Sequence, residues 1–491
     1  MTAPRYPSLY QVNTRVWLTE LTQQLGRAAT LDDIPNAELD RLADLGFDWI
    51  WFLSVWKNSL ASRAVSRRNA AWRHEFEETL PDLKEDDIGG SGFAIEDYSA
   101  APALGGNAAL KRLRQRLNQR GLRLMLDFVP NHMGLAHPWL HEHADYFIAG
   151  TEDDLARAPQ NYCRGPETTN DLILAYGRDP YFPGWPDTLQ LNYANPALQT
   201  AMIGELSKIA GLCDGVRCDM AMLLLPDVFE RTWDMGSEPF WNRAIDEVRH
   251  QFPQFLLMAE VYWDREWELQ QQGFDYTYDK RLYDRLHGGQ IQSVREHLLA
   301  GLDFQDKLAR FLENHDEPRA AATFPLAQHR AAAVVTYLTP GLRFFHQGQF
   351  TGRRKRISPH LARRPAETAD QELAEFYAKL LEIVRQPAFR EGRWQLLECG
   401  PAWEGNGTSS SLIAWLWTHN ADQRLVVVNL GSPQAQCRIT IPLTELEGHP
   451  VLLTDLLSGA KYERTGQELV EQGLFVDLSA WEAHVFELTR C

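Results

Sequence analysis

Residues 122–132 read Leu-Arg-Leu-Met-Leu-Asp-Phe-Val-Pro-Asn-His. The apolar run Leu122 to Val129 is long enough for one strand, yet it closes on Asp127, Asn131 and His132. A buried strand has no use for such side chains unless its end lines a site. The pattern returns three times, in Gly215-Val-Arg217-Cys-Asp219, Ala259-Glu260-Val-Tyr-Trp263 and Glu313-Asn314-His315-Asp316-Glu-Pro-Arg319. Strand ends that collect polar groups on one rim are what a parallel β/α barrel provides.

Working outward, further short apolar runs fill in the barrel. Tyr10 to Val16, Phe47 to Ser54, Leu122 to Val129, Asp214 to Asp219, Phe255 to Val261, Phe274 to Tyr278, Ala309 to Glu313 and Leu342 to Phe345 make eight predicted strands. Helical periodicity separates them at Ala37 to Leu45, Asn107 to Arg120, Pro196 to Gly211, Trp241 to Gln251 and Leu373 to Arg385. Alternating units of this kind predict an α/β fold, a (β/α)8 barrel. No Gly-rich phosphate loop opens a helix to favour an open doubly wound sheet. Residues 133–195, rich in Pro, Gly, Asp and aromatics, interrupt the alternation and are predicted to form a small insertion subdomain after the third strand. A second long excursion, about 57–106, follows the second strand. The barrel is therefore expected in two parts, 1–132 and 196–390. Beyond it, residues 391–491 alternate as short strands (Ser411 to Trp417, Leu425 to Leu430, Cys437 to Ile441, Ala483 to Leu488) and predict an antiparallel β-sandwich.

The net charge of −17 opposes nucleic acid and anionic membrane partners and leaves a neutral substrate as the simpler expectation. No stretch approaches the span of a membrane helix, and the N-terminus lacks the pattern of a cleaved signal. The six cysteines, Cys163, Cys213, Cys218, Cys399, Cys437 and Cys491, have neither zinc-ligand spacing nor the density of a disulfide scaffold. Free thiols and a cytoplasmic location are the expectation.

The four polar clusters, in this order and spacing, resemble the short regions of the α-amylase superfamily, glycoside hydrolase family 13. A fifth region resembles Leu189-Gln-Leu-Asn192-Tyr-Ala-Asn-Pro, and the resemblance covers roughly residues 8–390. It implies a retaining α-glycoside hydrolase with Asp219 as nucleophile, Glu260 as acid/base and Asp316 as the third carboxylate. Retention needs an ionised carboxylate and a protonated acid about 5–5.5 Å apart, and residues ending adjacent strands could meet that distance. Arg217, two residues before Asp219, points to the same face and favours the anion. Glu260, flanked by Ala259 and Val261, is expected in a less polar setting that keeps it protonated. Taken alone, Asp219 with Arg217 could be an ordinary ion pair, and Asp316 a helix N-cap. The resemblance further implies that His132 and His315 hold sugar hydroxyls, and that Tyr98, in the segment Gly92-Phe-Ala-Ile-Glu-Asp97-Tyr98, stacks beneath the reacting glucose. Arg217, Asp97, Asn192 and Arg319 join the expected substrate contacts, with Arg319 on the leaving-group side. Tyr98 could equally be a core tyrosine and Arg319 a solvated one. Asp127 is expected to brace Arg217, and Asn131 to be a turn residue or, as in calcium-binding relatives, a ligand.

Two departures bear on substrate. Met222 and Leu223 stand where starch-cleaving relatives often carry Lys and His, which puts long-polymer binding in doubt, and no Asp-x-Asp-x-Asp-Gly loop is present. The expectation is a short α-glucan or maltooligosaccharide substrate and no metal or other cofactor. A glucosyltransferase or isomerase using the same intermediate is the first alternative. A non-catalytic carbohydrate-binding or assembly subunit is the second, disfavoured because all three carboxylates are kept. A metal-dependent hydrolase would want paired histidines on one strand end, which are missing.

Overall fold

A computed structural model describes residues 4–165, 171–443 and 446–490. Eight parallel strands close in sequence order: β1 (Ser8–Asn13), β2 (Trp49–Leu53), β3 (Arg123–Phe128), β4 (Gly215–Cys218), β5 (Leu256–Ala259), β6 (Tyr276–Tyr278), β7 (Leu308–Arg310) and β8 (Leu342–His346). Each lies within or next to its predicted run. The first differs most, because Asn13 Oδ1 accepts the N–H of Val16 and turns Thr14–Leu25 into a helix where a strand through Val16 is predicted. β2 is buried over its whole length, as a barrel wall covered on both faces requires.

The surrounding helices carry the stripe that buries them. Gly106–Asn118 turns Ala109, Leu110, Leu113 and Leu117 inward. Pro196–Ala210 starts at its first residue on proline, with Asn195 capping Ala197 N–H. No described helix is long and apolar enough to cross a membrane.

The insertion after β3 holds two small antiparallel sheets, one pairing His132–Gly134 with Thr188–Gln190. The chain after the barrel forms an antiparallel domain of two sheets. One has six strands, in the order Arg393–Leu397, Leu412–His419, Asp422–Asn429, Ala483–Arg490, Pro450–Asp455 and Lys461–Thr465. The other pairs Cys399–Pro401, Ala435–Ile439 and Leu474–Leu478. Ala414, Leu416, Leu425 and Val427 pack against the second sheet, whereas Trp415, Trp417, Val426 and Val428 belong to the barrel's own core. Period-two alternation thus serves two cores at once. Both indoles donate to Leu338 O, each at 2.8 Å, satisfying a carbonyl at the end of helix Leu326–Tyr337. Cys163, Cys213, Cys218, Cys399 and Cys437 are free thiols, and Cys491 lies outside the described residues.

Candidate active site

Strand register sets the floor of the site. Cys218 is level with Ala259 across the β4–β5 pair, so the next residues, Asp219 and Glu260, leave the barrel side by side. The ladder continues past the strands: Asp219 N–H donates to Phe128 O at 2.8 Å and Glu260 N–H to Cys218 O at 3.0 Å. Arg217, 1% exposed, lies beneath. Its Nη1 is 2.5 Å from Asp219 Oδ1 and its Nη2 is 2.7 Å from Glu260 Oε2. Asp127 Oδ1 and Asp316 Oδ2 stand farther out, at 3.9 and 4.0 Å. One guanidinium therefore gathers carboxylates from four strand ends, and the rings of Trp51 and Phe93 flank it at 5.5 and 5.2 Å. One planar fork thus holds the two carboxyls side by side.

Met220 follows Asp219 with φ +44°, a left-handed conformation costly for a residue with a side chain. That twist aims its N–H at Glu260 Oε2, 2.7 Å away, while Tyr262 Oη donates to Oε1 at 2.9 Å. Burial pushes Glu260 up to about 8. Arg217 opposes the shift, and the charges of Asp219 and Asp316 reinforce it. The expected apolar flanks are thus joined by two neighbouring anions.

The loop after β7 is pinned by Asn314 Oδ1, which accepts the N–H of Asp316 at 2.8 Å and of Glu317 at 2.9 Å. Asp316 is free of the capping role and turns toward the cleft. Gln11 Nε2 donates to His315 Nδ1 at 2.9 Å, so the ring proton sits on Nε2, 3.0 Å from Asp316 Oδ2. Burial and the nearby Arg217 hold this ring neutral, and burial brings His132 down to about 4.

Above this floor opens a cleft of about 360 Å³ lined by Asp219, Glu260, Asp316 and His132. His315 and Arg217, 2% and 1% exposed, are not among the residues that line it. Four expected contacts lie elsewhere. Tyr98 is 4% exposed and points into the core between Trp56 and Phe128, its hydroxyl donating to Val129 O at 3.0 Å and accepting Val129 N–H at 2.9 Å. Asp97, its neighbour on strand Ile95–Ala100, faces the opposite way into solvent and takes the Ser99 hydroxyl. The aromatic of this segment that reaches the cleft is Phe93. It follows Gly92, where a Cβ would meet Ser54 Oγ at 1.9 Å, and its ring lies 5.4 Å from His315. Asn192 caps a turn through Ala194 N–H, and its neighbour Gln190 exchanges amide hydrogen bonds with Asn131, which is thereby consumed. Arg319 is 3% exposed, paired with Glu313 at 2.9 Å and donating to Gln347 O, away from the cleft. Among the described residues no group of three or more His, Cys, Asp or Glu is arranged to hold a metal ion.

The walls come from segments with no motif. Helix Ala70–Thr79 contributes Trp72, Glu75 and Phe76, and the loop after β8 contributes Arg356, Ser358 and His360. These walls meet each other. Glu75 pairs with Arg356, the rings of Trp72 and His360 lie 4.6 Å apart, and Phe76, Leu80, Ile88 and Leu361 form a small separate core. The insertion adds Trp185 and Asp187. Asp187 is 3% exposed with Oδ2 unpartnered, and burial pushes it up to about 7.

A model described as the alpha amylase catalytic domain matches residues 30–398, three quarters of the sequence. The chain belongs to the α-amylase family. This α-amylase-family chain is 25% identical over 411 residues to the α-amylase MalA of Haloarcula japonica, covering 82% of the chain and 52% of that protein. It is 24% identical over 290 residues to α-amylase 3 of Dictyoglomus thermophilum, covering 53% and 54%. It is also 28% identical over 201 residues to the trehalose synthase/amylase TreS of Mycobacterium tuberculosis, covering 37% and 32%. The chain thus spans about half the length of the first two relatives. Among solved structures it matches the maltogenic α-amylase AmyB of Thermotoga neapolitana with a TM-score of 0.68 at 16% identity, over 99% of each chain. An α-amylase from Lactobacillus plantarum gives 0.68 at 21%, over 98% and 99%. At those identities the shared property is the fold. Within this family member Met222 and Leu223 are buried in the turn after Asp219, with Trp241 Nε1 donating to Ala221 O.

Proposed function

We propose that this protein hydrolyses α-glucosidic bonds of short α-glucans with retention of configuration. Asp219 attacks the anomeric carbon and Glu260 protonates the leaving oxygen. The observation that carries the reading is the single buried guanidinium of Arg217 binding both carboxyls beneath an open cleft. Paired with Arg217, Asp219 supplies the anion. With its pKa raised to about 8, Glu260 holds the proton at neutral pH. Attack converts Asp219 into a neutral ester, which removes one of the charges that raise Glu260. Glu260, which has given its proton to the leaving oxygen, is then held more readily as the carboxylate that takes a proton from the incoming water. Asp316, beside them at the cleft, holds sugar hydroxyls as the ring distorts.

The size of the cleft and the Glu75–Arg356 closure at one wall support action at chain ends and on short substrates. The relatives named as trehalose synthases support a second outcome, in which a sugar in place of water receives the glycosyl group. Incubation with a panel of α-glucosides, with separation of products and detection of the anomer released, tests both. Release of the α-anomer is expected. Release of the β-anomer, or no turnover on any member of the panel, overturns the reading. Products longer than the substrate at high sugar concentration would mark transfer.

A further inference from the structure

A second hollow, of about 300 Å³, shares no lining residue with the cleft and lies where two barrel helices begin. Helix Leu326–Tyr337 starts there on Pro325, which offers no side-chain acceptor to the N–H groups of the first turn. Helix Gln371–Val384 starts there on Asp370. Two positive dipole ends therefore meet in one place. Arg354 adds a guanidinium: its Nη1 donates to Ala321 O, and no carboxylate among the described residues forms an ion pair with it. Beneath them His329, 1% exposed, also lines the hollow. Its Nε2 lies 2.7 Å from Tyr377 Oη, while Nδ1 is buried without a partner. The surrounding network fixes where the ring carries its proton. Gln349 Nε2 donates one hydrogen to Tyr337 Oη at 2.7 Å and the other to Tyr377 Oη at 2.8 Å, so Tyr377 gives its own proton to His329 Nε2. Burial brings His329 down to about 4, so the ring is neutral and its one N–H is on Nδ1. A buried donor left unmade costs free energy that an acceptor arriving from outside recovers. The acids nearby are engaged with the backbone: Asp370 Oδ1 accepts Leu373 N–H at 3.0 Å, and Glu367 Oε2 accepts the N–H of Arg354 at 2.7 Å.

We infer that this hollow, apart from the cleft, binds the phosphoryl group of a small phosphate, either free or carried on a sugar, through Arg354, the Nδ1–H of His329 and the start of helix Leu326–Tyr337. The donor set decides the ligand class. Helix starts, a guanidinium and an orphan imidazole N–H all offer hydrogens, and a phosphoryl group supplies several charged acceptors at once. A volume of about 300 Å³ falls at the lower end of small-molecule sites. The net charge of −17 works against an anion at long range, but salt screens charges beyond about 8 Å and leaves the local donors to decide. None of these residues takes part in the proposed cleavage, so the inference stands apart from that reading.

Titration calorimetry of the full chain with inorganic phosphate, glucose 6-phosphate and glucose tests it. Both phosphates should bind, and Arg354→Met should weaken them about tenfold, the scale of one charge-assisted hydrogen bond. Any heat from glucose, which lacks the phosphoryl group, should be the same in wild type and variant. Glucose 6-phosphate bound tighter than inorganic phosphate would make a sugar phosphate the ligand, and equal affinities would make it free phosphate. Asp370→Asn keeps the helix cap and removes a like charge, so it should tighten phosphate about threefold, which a merely structural role would not do. No binding of either phosphate up to about 10 mM, or binding that Arg354→Met leaves within about twofold of wild type, overturns the site. Should Arg354→Met fail to fold, Asp370→Asn decides: tightened phosphate binding supports the site, and unchanged or weakened binding overturns it.

Discussion

The floor and the walls of the cleft are held by different means. The floor hangs on barrel hydrogen bonds: Asp219 and Glu260 are fixed by register and gathered on one buried arginine. The walls hang on each other, through Glu75 with Arg356, Trp72 against His360 and a four-residue apolar cluster. A floor built into the sheet can hold reacting groups to a fraction of an ångström, which bond making demands. Walls built from paired loops can change between relatives without disturbing it, which is what substrate choice demands.

The comparison is sharpest at the floor. Asp219→Asn should lower kcat on order of 10⁴-fold, read on maltose at constant pH. Glu260→Gln should cost about 10³-fold on maltose but much less in the first step with a p-nitrophenyl glucoside, whose leaving group needs no proton. Equal losses on both substrates would remove Glu260 from the acid role. At the walls, Glu75→Gln and Arg356→Met should each lower kcat/KM for maltose by about tenfold and shift preference toward longer chains. Their thermal midpoints should hardly move, because a half-exposed ion pair contributes about 1 kcal/mol or less. A double variant that merely adds the two losses would show that the pair does not act as one closure.

Two smaller effects follow from protonation. kcat/KM should fall as pH rises through about 8, where Glu260 gives up its proton, and Asp316→Asn should move that limb downward by removing one raising charge. Because folding raises the pKa of Glu260, its contribution to stability is full below the ordinary glutamate range and is lost as pH climbs to about 8. Glu260→Gln should therefore gain a few degrees in thermal midpoint over wild type at alkaline pH and little near pH 4.

What the sequence made legible follows the same division. Apolar runs ending in acids located β3, β4, β5 and the loop after β7, because a carboxylate at the end of a buried strand needs a site to explain it. Tyr98 and Asp97 were read from a matching segment alone, and the pleat decides otherwise: alternate residues face opposite sides, and Tyr98 faces the core. Phe93 could have been found from Gly92, since a glycine before an aromatic at a strand entry signals close backbone approach. Asn192 and Arg319 sit beside informative strings but spend their polar atoms on a turn and a buried pair. Trp72, Glu75, Arg356 and His360 left no local signal, as their placement depends on contacts between segments some 280 residues apart.

The junction where Trp415 and Trp417 share Leu338 O couples the two folded parts of the molecule. Severed near residue 391, the barrel would leave that carbonyl and a broad apolar face unsatisfied, so the sandwich behaves as a structural buttress and not as a detachable appendage. Calorimetric melting should accordingly show one cooperative transition for the whole chain, and a barrel expressed without its partner should be recovered largely as aggregate.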